Sequence, residues 1–169
     1  MQEIFDFYEL RIACHVKSVN YFAALLGYHF PEHDSDKIIE PIRTGYAYVF
    51  YQTYHKNFCL SDDRTALCED AKKLHHEHAP HHIEFYKNVS DIPDVRLYEM
   101  ISDWSSANFE QKNILHENEF DSVEQWFEQK MAKLPWTKHQ LEIIKKSFET
   151  INKKTDKNAL MIIWQDLTK

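Results

Sequence analysis

Residues 3–26 read EIFDFYELRIACHVKSVNYFAALL. Phe5, Tyr8, Ile12, His15, Val19, Phe22 and Leu26 recur at alternating steps of three and four, the spacing of one buried helix face. The stretch predicts a helix from about Glu3 to Leu26, with Gly27 placed to end it. Its stripe is apolar apart from His15. A histidine held inside such a face is either a hydrogen-bonded core residue or a ligand.

Working outward, the chain repeats the pattern of helix and short connection. Pro31 lies in a loop that leads to His33-Asp34-Ser35-Asp36-Lys37, and Pro41 suits the first turn of a helix running to about His55. Ser61-Asp62-Asp63 reads as an N-cap with an acidic first turn, opening a helix toward His78. Pro80 should end or kink that helix, with His81-His82-Ile83-Glu84-Phe85-Tyr86 resuming it. After the turn Asp91-Ile92-Pro93-Asp94, a helix carries Leu97, Ile101 and Trp104 on one face, with Glu99 and Asp103 beside it. Gln111 to Asp121 is polar and predicts a loop. Ser122 caps a helix to about Leu134. Thr137-Lys138-His139-Gln140 has the capping-box pattern and opens a helix that turns Leu141, Ile144, Phe148 and Ile151 inward. A last short helix is expected from about Ala159 to Leu167.

The composition agrees with this reading. Only 2 Gly and 5 Pro occur in 169 residues, too few for the turns of a sandwich or barrel. We expect an all-α fold, one compact helical bundle of about six to seven helices spanning residues 1–169. No run approaches the roughly 18 apolar residues of a membrane span. The N-terminal residues lack the basic-then-apolar order of a secretory leader. The three cysteines, Cys14, Cys59 and Cys68, form no C-x-x-C pair and read as reduced thiols, so a cytoplasmic protein is expected. The net charge of −7 disfavours a nucleic-acid backbone as partner. An aromatic content of 14% leaves a homodimer face open.

The chemistry lies in the histidines. Of 11, five fall between His75 and His82: His75, His76, His78, His81 and His82. On a continuous helix His75, His78 and His82 would share a face, but Pro80 breaks that continuity, so periodicity does not choose the inward members. His33-Asp34 sets two ligand types side by side at a loop-to-helix junction, where both can turn toward one ion. The ordinary alternative is that Asp34 only caps the helix. Asp103 lies at the edge of a buried stripe, and a surface aspartate is its ordinary alternative. Histidine and carboxylate together suit Mn, Fe, Zn, Co or Mg ions.

The ordered set His15, His33-Asp34, the His75–His82 cluster and Asp103 resembles the HD-domain superfamily of helical, metal-dependent phosphohydrolases. The chain is also similar, over roughly residues 8 to 131, to a smaller family described as a domain of unknown function, DUF5662. That likeness rests on His33-Asp34-x-x-Lys37 with Pro41, on His75/His76 with His81-His82-x-Glu84-x-Tyr86, and on Glu99-Met100-Ile101-x-Asp103-Trp104. The chain departs from the family pattern at Asp36, where serine is usual, and at Ala79-Pro80, where asparagine often precedes the paired histidines.

The resemblance implies a centre of one or two divalent ions. His15, His33, Asp34 and Asp103 would hold the first. Asp34 would bridge to a second on His75 and His81, with His76 or His82 as alternatives. The reaction implied is hydrolysis of a nucleotide or other small phosphoester by metal-activated water. Asp34, Lys37 and His76 are the candidate catalytic groups. Lys37 would bind phosphate, although a surface lysine beside Asp34 is the plain alternative. Glu77 or Glu99 would orient a histidine. The alternatives are a di-iron oxygenase of the HD type, and a metal- or nucleotide-binding protein without turnover.

Overall fold

Helix α1, Gln2–Leu25, is the spine of the molecule. The left-handed Gly27, at φ 86°, follows its end, where a residue without a Cβ costs least. Tyr8, Ile12, His15, Val19 and Phe22 are buried as the stripe predicts, but Ile4, Arg11, Cys14, Ser18 and Ala23 are buried too. α1 is therefore covered over a wide arc. Its partners include α2 (Ile42–Tyr54), α4 (Asp94–Asn113), α6 (Lys138–Lys154) and α7 (Lys157–Trp164).

In this computed structural model, which describes residues 1–117 and 119–167, seven α-helices and no strand occur among the described residues. Between α1 and α2 a single 3-10 turn, Ser35–Ile38, carries the aspartate-rich segment. α3 (Asp62–His78) lies along α2. Their contact depends on Gly45, where a Cβ would stand 2.3 Å from the Cβ of Ala71 and 2.9 Å from the carbonyl oxygen of Leu67. α5 (Val123–Trp126) runs on into a π-helical turn, Phe127–Met131. None of the helices is long and apolar enough to cross a membrane.

Two apolar cores result. One joins Tyr8 and Ile12 of α1 to Tyr46, Ala47 and Tyr51 of α2 and Cys68 and Ala71 of α3. The other joins Cys14 and Phe22 of α1 to Leu97, Met100 and Ile101 of α4, Ile144, Phe148 and Ile151 of α6, and Leu160 and Trp164 of α7. Gln140 closes the predicted capping box with Thr137 and is itself buried, its amide donating to the carbonyl of Val89.

Several local expectations need correction. His81–Tyr86 does not resume a helix. Ala79, His82 and Tyr86 are extended and only Ile83–Phe85 makes a 3-10 turn, because Pro80 has no amide to continue the ladder. The Tyr86 hydroxyl donates to the carbonyl of Pro80 and ties this segment down. The expected loop Gln111–Asp121 begins later, since α4 continues to Asn113 and is closed by amides of Ile114 and Leu115 on the carbonyl of Glu110; Asn118 of that loop lies outside the described residues, as do Thr168 and Lys169. On α6 the inward position is Ile143 rather than Leu141, which is exposed. Ser61 precedes α3 without a side-chain cap bond.

Candidate metal centre

The site forms where α1 and α4 cross the segments that precede α2 and follow α3. Small buried serines of α4, Ser102, Ser105 and Ser106, let it approach α1 closely. Ser102 and Ser105 spend their hydroxyls on carbonyls four residues back, whereas Ser106 Oγ lies 3.3 Å from Nδ1 of His15. Asp34 adopts the left-handed conformation, φ 59°. Aspartate tolerates that region better than most residues, and it turns a residue next to His33 inward as well. Both side chains are buried.

Four candidates meet around one point. His15 Nε2 is 3.4 Å from Asp34 Oδ2 and 3.0 Å from Asp103 Oδ1, and His33 Nε2 is 3.7 Å from each of the same two oxygens. A second group meets at the other oxygen of Asp34. Oδ1 is 3.2 Å from His81 Nε2 and 3.5 Å from His75 Nε2, and His82 Nε2 is 2.9 Å from His75 Nε2. Ligands about 2.1 Å from one ion, at angles between square and tetrahedral, stand about 3.0–3.4 Å apart. Both clusters are within a few tenths of an ångström of that spacing.

The outer nitrogens are spoken for. His33 Nδ1 faces Glu99 Oε1 at 3.1 Å, and Arg96 in turn donates to Glu99. His75 Nδ1 faces Asp36 Oδ2 at 2.7 Å. With Ser106 on His15, three imidazoles are held by Nδ1 so that Nε2 points at the centre. Metal-binding histidines are oriented in the same way. At the centre itself His33 Nε2, His81 Nε2 and Asp34 Oδ1 are buried and have no hydrogen-bond partner among the described residues. Orphaned buried polar atoms are costly unless something else binds them. The donor set and these three atoms fit a divalent cation. Lys37 Nζ, 2.9 Å from Asp34 Oδ2, brings a positive charge to the ring.

The electrostatics follow from burial opposed by opposite charge. Burial works against a charged His33, yet the carboxylates of Asp34, Asp103 and Glu99 outweigh it and raise its pKa to about 10. Burial, then Lys37, pushes His75 down to about 4. Burial, then the crowding histidines, pushes His82 to about 2. His15 is lowered by burial and by Arg11. For Asp34 burial acts upward but Lys37, His33, His81 and His15 overcome it, and for Asp103 His15 and His33 do the same, so both stay well below the usual carboxylate range.

The structure thus brings His15, His33, Asp34, His75, His81 and Asp103 together, with His82 beside them. It does not bring in His78, which is exposed and bonds the carbonyl of Leu74, or Glu77, which is exposed beside Lys73. His76 stands outside the ring, its imidazole stacked on His82 at 4.1 Å and its Nδ1 3.4 Å from Glu84. Lys37 is buried, so the surface-lysine alternative does not hold. Sequence reasoning missed two groups. Asp36, read as a departure, orients His75. Arg11 is bound to Glu110 of α4 through both Nε and Nη2, and its place one turn before His15 was the available signal.

Two clefts reach the centre. One, of about 400 Å³, is bordered by the His29–Asp36 segment, His81 and Arg96. The other, of about 540 Å³, runs past Arg11, Lys37, His76, His82 and Asp103.

Fold and site define an all-helical protein built around a buried histidine–carboxylate cluster with the spacing of a cation site. The chain belongs to DUF5662, a family of unknown function, whose match extends over residues 5–161. No curated protein and no solved structure matches it.

Proposed function

We propose that the chain is a two-metal phosphohydrolase of the HD type acting on a small phosphoester. The observation that carries this reading is the two-sided use of Asp34. One oxygen faces His15 and His33, the other faces His75 and His81, and Asp103 completes the first group. A single carboxylate flanked in this way is how two ions are held side by side.

When bound, divalent ions at these residues would supply an activated water and offset phosphate charge. The chain's own groups do the rest. Glu99, Asp36 and Ser106 hold three imidazoles in the tautomer that presents Nε2. Lys37, fixed on Asp34 and lying 4.6 Å over the Tyr46 ring, adds a positive charge next to the site. Hydrolysis joins a water oxygen to phosphorus and breaks the ester P–O bond. The water gives its proton to solvent and the leaving oxygen takes one from His76, which lines the larger cleft.

The test is elemental analysis of the purified protein with a panel of nucleoside monophosphates and simple aryl phosphates. We expect two metal equivalents, phosphate release, and loss of both in Asp34→Ala. A metal-free protein, or full metal content in Asp34→Ala, overturns the centre. Iron with oxygen consumption and no phosphate release replaces hydrolysis by oxygenase chemistry.

A further inference from the structure

The two clefts that reach the centre differ in chemistry. The smaller is bordered by Glu32 and Asp36, and its one arginine, Arg96, is committed to Glu99. The larger is lined by Arg11, Lys37 and Lys72, its carboxylates Glu110 and Glu117 are paired with Arg11 and Lys56, and Val49, Ala107 and Leu115 add apolar lining. Only the larger touches His15, Asp103 and His82 together with His76.

Arg11 sharpens this. Its guanidinium is buried, its Nε and Nη2 are spent on Glu110, and Tyr54 also donates to Glu110. Its carbon lies 3.5 Å over the Phe50 ring. Nη1 is the donor that has no partner among the described residues. A buried guanidinium that is held rigidly, lines a cleft and keeps one N–H edge in reserve is suited to an anionic oxygen.

Resting on the phosphohydrolase reading, we propose that the substrate occupies the larger cleft and is a phosphomonoester of an apolar group of aryl size. Its phosphate lies at the His15–Asp103 end within reach of Arg11. Its organic part lies along Val49, Ala107 and Leu115, and the ester oxygen falls between them, on the side of His76. The cleft volume lies within the range of small-ligand sites. Burying an aryl ring against this apolar lining should tighten binding over phosphate alone by roughly tenfold or more.

The experiment is calorimetric titration of the metal-loaded protein with inorganic phosphate and with phenyl phosphate, in wild type and three variants, with metal content measured in each. Ala107→Trp fills the apolar side from a half-buried helix position. His29→Trp obstructs the other cleft from an exposed position. Arg11→Lys keeps a charge opposite Glu110 and removes the spare N–H edge. We expect phenyl phosphate to bind more tightly than phosphate. Ala107→Trp should abolish that preference with phosphate affinity and metal retained. His29→Trp should change nothing, and Arg11→Lys should weaken both ligands by roughly tenfold. Equal affinity for the two ligands in wild type, an intact preference in Ala107→Trp, its loss in His29→Trp, or unchanged binding in Arg11→Lys overturns the cleft assignment and leaves the metal centre standing. Metal-loaded wild type that binds neither ligand overturns the phosphoester reading and this inference with it.

Discussion

The two halves of α1 are packed by different means. Its N-terminal half meets α2 and α3 through rings and small residues, Tyr8 stacked on Phe50 and Phe7 edge-on to Tyr51, with Gly45 set directly on Ala71. Its C-terminal half meets α4, α6 and α7 in a larger core where rings such as Phe22, Phe148 and Trp164 are mixed with aliphatic side chains such as Leu97, Ile101 and Ile144. The candidate centre straddles the boundary. Its first cluster hangs on α1 and α4, in the middle of long helices. Its second hangs on the end of α3 and the irregular segment after Pro80, so it depends on α3 being held against α2. The first cluster is therefore expected to be the more rigid, and Asp34 is the one residue on which both depend.

That difference can be broken most severely at Asp34. Asp34→Ala should release both metal equivalents, whereas His81→Ala should release one, as read by elemental analysis after gel filtration; equal losses from the two variants would mean that the clusters are one site. Next in size is Gly45→Val. Its side chain collides with Ala71 and the Leu67 carbonyl, so overpacking should cost about 1–3 kcal/mol in urea denaturation. It should also strip metal from the second cluster while the first keeps its own. Smaller effects come from the orienting carboxylates. Glu99→Gln should weaken metal at the first cluster, and Asp36→Asn at the second, each by about 10–100-fold in competition with a chelator dye. Crossed effects, with Asp36 governing the first cluster, would contradict the geometry.

The smallest expected effect concerns the tie between the halves. Arg11 of α1 and Tyr54 of α2 both bond Glu110 of α4. Burial raises the Glu110 carboxyl pKa, but Arg11 and Tyr54 overcome this, so it lies below its ordinary 4.5 in the folded protein. A depressed carboxyl contributes stability that is full above pH 4.5 and is lost as pH falls through the folded value. Melting curves from about pH 6 to about pH 3.5 should show a shallower acid decline for Glu110→Gln than for wild type. A parallel decline would show that the tie contributes nothing to acid stability.

How much of this was legible beforehand varies with the kind of information each residue carries. α1 could be read from its own spacing, and His15 with it, because a residue three places from Ile12 and four from Val19 must share their face. The capping box at Thr137 could be read because it is a local hydrogen-bond pattern. His81–Tyr86 was misread because apolar and polar residues alternate there without revealing that the backbone stays extended after Pro80. Asp36 carries no local mark of its role, and Arg11 only its place one turn before His15, since their partners, His75 and Glu110, lie 39 and 99 positions away.

The chain alone therefore determined the helices, their order and the types of side chain available to a cation, because helix periodicity, caps and prolines act over a few residues. Which of the five clustered histidines turn inward, which oxygen of Asp34 each one faces, and which cleft keeps an unused guanidinium edge were decided only by the packing of α1 on α4 and of α3 on α2. Such choices depend on distances between segments remote in sequence, and no local pattern encodes a distance of that kind.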